Sequence, residues 1–157
     1  MSLKDIIVIV PVYNEEDSLL RFKKEMNIFI ESSNFKVGVL FVNDGSTDNS
    51  LRIIQDICTE DNSYQYISLF KNMGLSTAMK AGIDNIQSRY IGYIDADLQT
   101  SPSDFELLIS HIAENDLVLG YRHDRNDPFI KRISSTIANS VCFPFSYSWC
   151  YSASSNC

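Results

Sequence analysis

The segment YIGYIDADLQT (residues 90–100) places two carboxylates and a side-chain amide within five positions, directly after an apolar run. Asp95 and Asp97 are two residues apart, so at the end of a strand their side chains point to the same side. Carboxylates held this close repel each other unless a cation lies between them. Together with Gln99 they form an all-oxygen set, which suits Mg²⁺ or Mn²⁺ and suits zinc poorly. We therefore predict that Asp95, Asp97 and Gln99 bind a divalent metal.

A solvated, Asp-rich turn before a helix is the alternative explanation of this motif. For an isolated D-x-D, that turn is the more common case. The metal site is favoured where the motif lies at a ligand-binding edge, because Mg²⁺ normally completes its coordination shell with water and substrate phosphates. The place of the motif in the fold therefore decides between the two interpretations.

Short apolar runs and segments of helical character alternate along the chain. The runs predict five β-strands, at residues 5–12, 36–43, 64–70, 90–96 and 116–121. Helices are predicted between them, at residues 15–33, 46–61, 74–86 and 101–115. The apolar residues that share a helix face are Leu19, Phe22, Met26 and Phe29 in the first helix, and Leu51, Ile54 and Cys58 in the second.

This alternation is typical of βαβ units. Nearly continuous apolar strands favour a parallel sheet covered on both faces, and right-handed crossovers make it an α/β, Rossmann-like, doubly wound sheet. Ligands of such sheets bind outside the carboxyl ends of the strands. Each predicted strand is followed there by a polar cluster: PVYNEE, NDGSTD, KNMG, DADLQ and GYRHDR. Five clusters at one edge predict a binding site and favour the metal interpretation of DADLQ.

The first two clusters suggest contacts with a nucleoside. Asp44 is not needed for the turn that Gly45 makes, and its carboxylate can accept hydrogen bonds from a base N–H. Tyr13 and Glu15 are candidates to meet a base and a ribose. Helix capping by Asn14, with acidic residues in the first turn, explains the first cluster equally well.

Basic residues near the same edge are candidates for the phosphate side of the site. Lys71 precedes a helix start near Gly74, which is a plausible anion-binding feature. Arg122 and Arg125 lie in GYRHDRNDPFIKR, the one locally basic stretch of the chain. A solvated loop leading into a helix is the alternative for this stretch.

Composition limits the class of protein. The chain has 157 residues and a net charge of -7, which predicts one soluble domain and no nucleic-acid partner. The longest apolar run is too short to span a membrane, and no signal-peptide pattern follows it, so we expect a cytoplasmic protein. The four cysteines fit no zinc framework. The chain also lacks the G-x-G-x-x-G, P-loop and G-x-S-x-G motifs.

The ordered motifs VPVYNEE, VNDGSTDNS, KNMGLSTAMKAGID, YIDADLQTSPSDF and GYR resemble the family 2 glycosyltransferases of the GT-A fold. Within that family the chain is most similar to the branch of dolichol-phosphate mannose synthase and the bacterial polyprenyl-phosphate glycosyltransferases, because Pro102 follows DADLQ. The resemblance covers about residues 5–141. It implies that the nucleoside of a UDP- or GDP-sugar is held by residues at the ends of the first two strands and directly after them: Pro11, Tyr13, Glu15, Val42 and Asp44.

The resemblance also implies roles for the other candidates. Asp95, Ala96 and Asp97 would lie against the ribose and diphosphate, with the Mg²⁺ or Mn²⁺ among Asp95, Asp97 and Gln99. Asp97 is the catalytic candidate, acting through the metal as a Lewis acid on the departing diphosphate. Lys71, Arg122 and Arg125 are the substrate-binding candidates on the phosphate side.

The implied reaction is an inverting, single-step transfer from the nucleotide sugar to a polyprenyl phosphate at the cytoplasmic membrane face, or to a glycan. A domain is expected over residues 1–141. The uncharged tail CFPFSYSWCYSASSNC, residues 142–157, resembles no part of the family, so we expect the acceptor half to be missing. A non-catalytic nucleotide-sugar-binding domain is the alternative. Apolar surface left exposed by the missing half would favour a homo-oligomer.

Overall fold

The computed structural model describes residues 4–120. Four strands alternate with helices along this part of the chain. The strands are β1 (Ile6–Val12), β2 (Val37–Asn43), β3 (Tyr64–Ser68) and β4 (Tyr90–Tyr93). The helices are α1 (Leu19–Ser32), α2 (Ser50–Glu60), α3 (Leu75–Asp84) and α4 (Phe105–Ile109), with a single 3₁₀ turn at Pro102–Asp104.

The four strands form one parallel sheet in the order β3-β2-β1-β4. Along the chain, β2 is added beside β1 and β3 beside β2. The chain then returns across the sheet, and β4 pairs with the free edge of β1. The strand order therefore reverses between β1 and β4, which is where doubly wound sheets bind their ligands. The predicted Rossmann-like, parallel α/β fold is confirmed.

Helices cover both faces of the sheet. On one face Ile9, Leu40 and Val42 form a buried cluster with Ala78 of α3. All seven residues of β2 are buried, as the continuous apolar run of this strand predicts for a sheet packed on both sides.

Aromatic side chains dominate the opposite face. The Phe22 ring of α1 lies edge-on to the Phe41 ring of β2, with 5.9 Å between their centroids. The Tyr64 ring of β3 stacks on Phe41, with 5.8 Å between the centroids. Phe29 stacks on Phe105, which lies at the start of α4, at 5.5 Å. These rings hold the helices that carry them against the sheet.

The predicted helix faces agree well with the observed burial. In α1 the four buried residues are those predicted from helical spacing: Leu19, Phe22, Met26 and Phe29. In α2 Ile54 is buried as predicted, together with Ser50 and Ile57. Leu51 and Cys58 are only partly buried, because the buried stripe of α2 is rotated toward Ser50. Burial raises the pKa of the Cys58 thiol to about 11.

Two predicted elements differ from the structure. Residues 116–120 of the predicted fifth strand adopt no strand among the described residues. A strand needs a neighbour to complete its hydrogen bonds, and a short apolar run does not specify one. The helix predicted over residues 101–115 ends at Ile109, because the backbone N–H groups of His111 and Ile112 bond to carbonyls three residues back, as in an isolated turn.

The chain divides into two compact units, one ending at Leu107 and the other beginning at Leu108. The sheet belongs to the first unit. The boundary predicted between a domain at residues 1–141 and a tail at residues 142–157 lies outside the described residues and stays a prediction. Within residues 4–120, no helix has the length and apolar character needed to cross a bilayer.

Gly82 of α3 provides a test of the contact between this helix and the sheet. A Cβ on Gly82 would lie 2.8 Å from Ile9 Cγ2 and 3.1 Å from Ile9 Cδ1. We predict that Gly82→Ala lowers the free energy of unfolding by up to about 2 kcal/mol, because an overpacking cost of about 1–3 kcal/mol is set against a helix-propensity gain of about 1 kcal/mol. Urea unfolding measures this change.

The matched control is the same substitution in an Ile9→Ala background. There the two Ile9 contacts are gone, and the remaining neighbour, Val42 Cγ2 at 3.3 Å, needs to give by only a few tenths of an ångström. The helix-propensity gain remains, so Gly82→Ala should be neutral or stabilising. A stabilising effect of Gly82→Ala in the native background would contradict this account of the packing.

Candidate functional site

The loops that follow β1 and β2 are joined by reciprocal hydrogen bonds. Asn14, which has a positive φ of 57°, accepts the Thr47 backbone N–H on Oδ1 at 2.8 Å. In return its own backbone N–H donates to Ser46 Oγ at 3.1 Å. An Asn tolerates this left-handed conformation better than most residues, which explains its use here. The predicted helix-capping role of Asn14 is replaced by a bridge between two loops.

A second reciprocal pair lies two residues further along each loop. Asp48 Oδ2 accepts the Glu16 backbone N–H at 3.2 Å, and Glu16 Oε2 accepts the Asn49 backbone N–H at 2.9 Å. Burial of Asp48 alone would raise its pKa, but hydrogen bonds from Ser50 and from the Glu16 backbone outweigh burial and lower the pKa below its usual 3.8. Both loops are therefore fixed by polar contacts at the carboxyl edge of the sheet.

Asp44 connects the loop after β2 to the loop after β3. Its side chain is only 4% exposed, and each carboxylate oxygen accepts one backbone N–H. Met73 donates to Oδ1 at 2.7 Å and Gly74 donates to Oδ2 at 2.8 Å, directly before α3. Each oxygen keeps a second lone pair for a further donor. Asp44 thus has a structural role that sequence reasoning missed, beside its predicted role in binding a base.

Gly45 is required by the same pair of loops. Its φ is +65°, and a Cβ there would lie 2.2 Å from the backbone carbonyl carbon of Lys71. Only glycine adopts this conformation without strain and allows the second backbone to approach so closely.

Asp95 and Asp97 follow β4 at the same edge. Both are exposed, while Ala96 between them is buried. The Tyr93 hydroxyl donates to Asp95 Oδ1, and the Gln99 backbone N–H donates to Asp97 Oδ1 at 3.0 Å. One oxygen of each carboxylate is therefore held by this chain. The bonds described leave the other oxygen, Oδ2, free to meet a ligand.

The environment of Tyr93 favours its neutral form. Burial raises the pKa of its phenol, and the hydrogen bond to Asp95 and the negative charges of Asp95 and Asp97 raise it further. Tyr93 therefore stays a hydrogen-bond donor to Asp95 throughout the neutral and mildly alkaline range.

These loops surround an open hollow of about 270 Å³ at the point where the strand order reverses. Four of its lining residues carry carboxylates, and none in this described region is Lys, Arg or His. We call it the acidic hollow. Its lining residues are Pro11, Val12, Tyr13, Glu15, Asp44, Asn72, Gly74, Leu75, Ala78, Asp95, Ala96 and Asp97.

Most of the predicted site residues meet in the acidic hollow. Those that line it are Pro11, Tyr13, Glu15, Asp44, Asp95, Ala96 and Asp97. The side chain of Val42 lies instead in the core against α3, with no exposed surface. Gln99 is exposed and outside the lining, and its backbone N–H bonds to Asp97. Arg122 and Arg125 lie outside the described residues.

Lys71 lies apart from the acidic hollow. It lines a second hollow of about 470 Å³, which shares Tyr13 and Asn72 with the first. The Lys71 ammonium lies 5.3 Å from the ring centroid of Phe70, which is 88% exposed. The predicted contact of Lys71 with a phosphate in the acidic hollow therefore has no support from this geometry.

Sequence reasoning missed several lining residues from the loop after β3 and the start of α3. Asn72, Leu75 and Ala78 all line the acidic hollow. The KNMG cluster marked this loop, but Lys71 was chosen for its charge and for the helix start that follows it, and the uncharged residues were not considered. Helical spacing from Gly74 would have identified Leu75 and Ala78 as neighbours on the side of α3 toward the site.

The residues present fit a hard divalent cation shared with a ligand. Among residues 4–120, no three His, Cys, Asp or Glu side chains are grouped to hold a metal by themselves. Asp95 and Asp97 supply only carboxylate oxygens, and Oδ2 of each is uncommitted in the bonds described above. Mg²⁺ and Mn²⁺ are commonly held by one or two carboxylates, with phosphate oxygens and water completing the shell. The site therefore fits a metal that binds together with a phosphate ligand.

A parallel sheet that reverses its strand order beside a hollow of this kind defines a Rossmann-like, ligand-binding domain. The family model for glycosyl transferase family 2 matches residues 7–149, which is most of the chain. The chain therefore belongs to glycosyl transferase family 2, and the predicted family is confirmed. The finer resemblance to the dolichol-phosphate mannose synthase branch stays a prediction.

Solved structures share the fold. Residues 1–349 of TarS from S. aureus are 20% identical, with a TM-score of 0.59 over 79% of this chain and 38% of that one. Mannosyltransferase PcManGT from Pyrobaculum calidifontis, in complex with GDP-Man and Mn²⁺, is 18% identical, with a TM-score of 0.56 over 73% and 34%. Glucosyl-3-phosphoglycerate synthase from Mycobacterium tuberculosis, in complex with UDP, is 16% identical, with a TM-score of 0.66 over 90% and 51%. This chain thus spans between 34% and 51% of their lengths.

The structural role of Asp44 can be tested by Asp44→Asn. An amide has one acceptor oxygen where the carboxylate has two, so at least one of the Met73 and Gly74 N–H groups loses its bond to residue 44. The Gly74 N–H also donates to Asn72 Oδ1 at 3.1 Å, so the larger loss is expected where the Met73 bond is broken. We predict a loss of about 1–3 kcal/mol in the free energy of unfolding. Urea unfolding measures this loss, and hydrogen exchange of the two amides locates it.

The matched control is Asp84→Asn, which removes an exposed ion pair with Lys80 and should change stability by less than about 1 kcal/mol. Equal stability of the two variants, with both amides still protected, would refute the structural role of Asp44.

Asp48 predicts a pH dependence. Because its pKa is lowered in the folded chain, its stabilising effect is present above the usual pKa of 3.8 and is lost as the pH falls through the folded value. The difference in free energy of unfolding between the native chain and Asp48→Asn should therefore be constant above about pH 5 and shrink in more acidic solution. Urea unfolding over a pH series measures it, and a difference that persists unchanged at pH 3 would count against this prediction.

Proposed function

We propose that this chain is the donor-binding part of an inverting, divalent-metal-dependent glycosyltransferase. The observation that carries the proposal is the acidic hollow at the point of strand reversal. The four carboxylates of its lining, with no Lys, Arg or His among the lining residues, repel a diphosphate that binds alone. They attract a diphosphate that binds together with a divalent metal. Family membership and the fold support a nucleotide sugar as the ligand.

The nucleoside would occupy the part of the acidic hollow between β1 and α3. Asp44 can accept a further hydrogen bond from a base N–H on the lone pairs that Met73 and Gly74 leave free. Tyr13, which is 45% exposed, offers a ring face for a base, and Glu15 offers a carboxylate for ribose hydroxyls. The buried Ala96 lets a ribose or diphosphate approach the backbone closely.

Asp95 and Asp97 would hold Mg²⁺ or Mn²⁺ through Oδ2. The bound metal would supply Lewis-acid stabilisation of the charge that develops on the departing nucleoside diphosphate. This is the sense in which Asp97 is the catalytic candidate. Gln99 then contributes through its backbone N–H, which orients Asp97.

For the acceptor we propose a polyprenyl phosphate at the cytoplasmic membrane face, in keeping with the resemblance to the dolichol-phosphate mannose synthase branch. A phosphate monoester has a second pKa of about 6, so its oxygen is already anionic at neutral pH and needs no general base. A glycan hydroxyl would need such a base.

Arg122 and Arg125 are proposed to bind phosphate groups, and residues 1–141 are proposed as the donor-binding domain.

A non-catalytic nucleotide-sugar-binding domain is the second candidate. Such a domain would bind a nucleotide sugar through the same carboxylates of the acidic hollow and would lack the transfer step. Both candidates bind the donor, and only a glycosyltransferase moves the sugar. Assays of transfer from a bound nucleotide sugar to polyprenyl phosphate separate them.

Calorimetric titration of the chain with UDP and with GDP, in Mn²⁺ and in EDTA, tests the donor site. We predict that one nucleotide binds in Mn²⁺ and that Asp97→Asn weakens this binding by more than about tenfold, because a metal ligand is lost. Binding in EDTA should be weak for both proteins, since the carboxylates then repel the diphosphate.

Asp104→Asn is the matched control. It removes the same charge from the exposed 3₁₀ turn, outside the lining of the acidic hollow, and should bind as the native chain does. The proposal fails if a folded native chain binds neither nucleotide, or if EDTA leaves the affinity unchanged.

A further inference from the structure

The four carboxylates of the acidic hollow are held in different ways. Backbone N–H groups hold Asp44 and Asp97, and the Ser18 hydroxyl donates to Glu15 Oε2 at 2.9 Å. Asp95 accepts instead from a phenol, that of Tyr93, the last residue of β4. The two residues are separated by one position, so they lie on the same side of the extended chain.

Tyr93 is suited to orient a metal-binding carboxylate. A phenol is a neutral donor, so it fixes Asp95 Oδ1 without cancelling the negative charge that attracts a cation. A Lys or Arg in its place would compete with the metal for that charge. Among the described residues no Lys or Arg forms an ion pair with Asp95, and the Tyr93 hydroxyl donates a hydrogen bond to it.

Orientation matters here because Asp95 is exposed. An exposed carboxylate samples several rotamers, and ordering it when a ligand binds costs free energy. A hydrogen bond already present in the free protein reduces this cost. The bond to Asp95 uses only the hydroxyl of Tyr93. A Tyr93→Phe substitution therefore removes the bond and keeps the packing of the ring.

We infer that Tyr93 is a positioning residue, which holds Asp95 Oδ1 so that Oδ2 remains for the divalent cation of a metal–nucleoside diphosphate complex. This inference rests on the proposed function and extends it to a residue of β4 that is outside the lining of the acidic hollow. Tyr93 acts through Asp95. Its removal should therefore weaken metal-dependent binding and leave the fold intact.

The test compares Tyr93→Phe with Tyr66→Phe in the full chain. Tyr66 is a matched control: it is also a strand tyrosine, 41% exposed where Tyr93 is 42%, and its oxygen accepts a hydrogen bond from Gln55 at 3.3 Å. It lies on β3, which is the edge strand opposite β4 in the sheet, and it lines neither hollow. Mn²⁺ is titrated in the presence of UDP or GDP, with free Mn²⁺ followed by electron paramagnetic resonance.

We expect Tyr93→Phe to weaken the nucleotide-dependent binding of Mn²⁺ by about tenfold, as for other residues that orient metal ligands. Tyr66→Phe should have no effect. In EDTA, the weak nucleotide binding should be the same in the native chain and in both variants. The urea midpoints of Tyr93→Phe and Tyr66→Phe should also match that of the native chain. In an Asp95→Ala background the effect of Tyr93→Phe should vanish, because the residue it orients is gone.

The outcomes separate the two proposals. Native-like Mn²⁺ affinity of Tyr93→Phe, in a chain that binds the metal–nucleotide complex, overturns the positioning role and leaves the proposed function standing. An effect that persists in the Asp95→Ala background overturns it too, since Tyr93 would then act by another route. A native chain that binds neither Mn²⁺ nor nucleotide overturns both.

Discussion

The early end of β4 is the constraint on which the geometry of the site depends. β4 pairs with β1 only from Tyr90 opposite Ile6 to Tyr93 opposite Ile9, whereas β1 continues beside β2 to Val12. The chain after β4 therefore passes alongside the last residues of β1, and its two aspartates share a hollow with Pro11 and Tyr13. A β4 three residues longer would carry them outward by roughly 10 Å, at about 3.3 Å per residue. The position of the two aspartates beside the end of β1 is thus a consequence of unequal strand lengths.

The loops around the hollow are held without cations. Their contacts join polar side chains to backbone N–H groups, as in the pairs of Asn14 with Thr47 and Glu16 with Asn49. The described ion pairs, Arg21–Glu25, Lys23–Glu60 and Lys80–Asp84, all lie elsewhere. Hydrogen bonds of this kind fix the loops and leave the carboxylates charged. The site is therefore rigid and negative at once, which favours a ligand that arrives with its own cation.

Much of the fold and part of the site can be predicted from the sequence. The buried face of α1 and the fully buried β2 follow from periodicity, and the edge where Asp95 and Asp97 meet Tyr13 follows from the handedness of βαβ crossovers. The hydrogen bonds of Asp44 to Met73 and Gly74 could not be predicted, because they join residues about thirty positions apart through loop conformations that no periodicity encodes. The burial of Val42 could be predicted from strand alternation only if it were already known that α3 covers the face of the sheet on which Val42 lies. The apolar character of residues 116–120 did not specify a pairing partner.

The close approach at Gly45 has a consequence for redesign of ligand preference. Because the backbone of Gly45 and that of Lys71 leave no room for a Cβ, the loop after β2 and the loop after β3 have interlocking shapes. The Asp44 carboxylate joins them again one residue earlier. Exchanging either loop alone with that of another family member would bring together two surfaces that do not match. A graft intended to change the accepted base must therefore transfer both segments as one cassette.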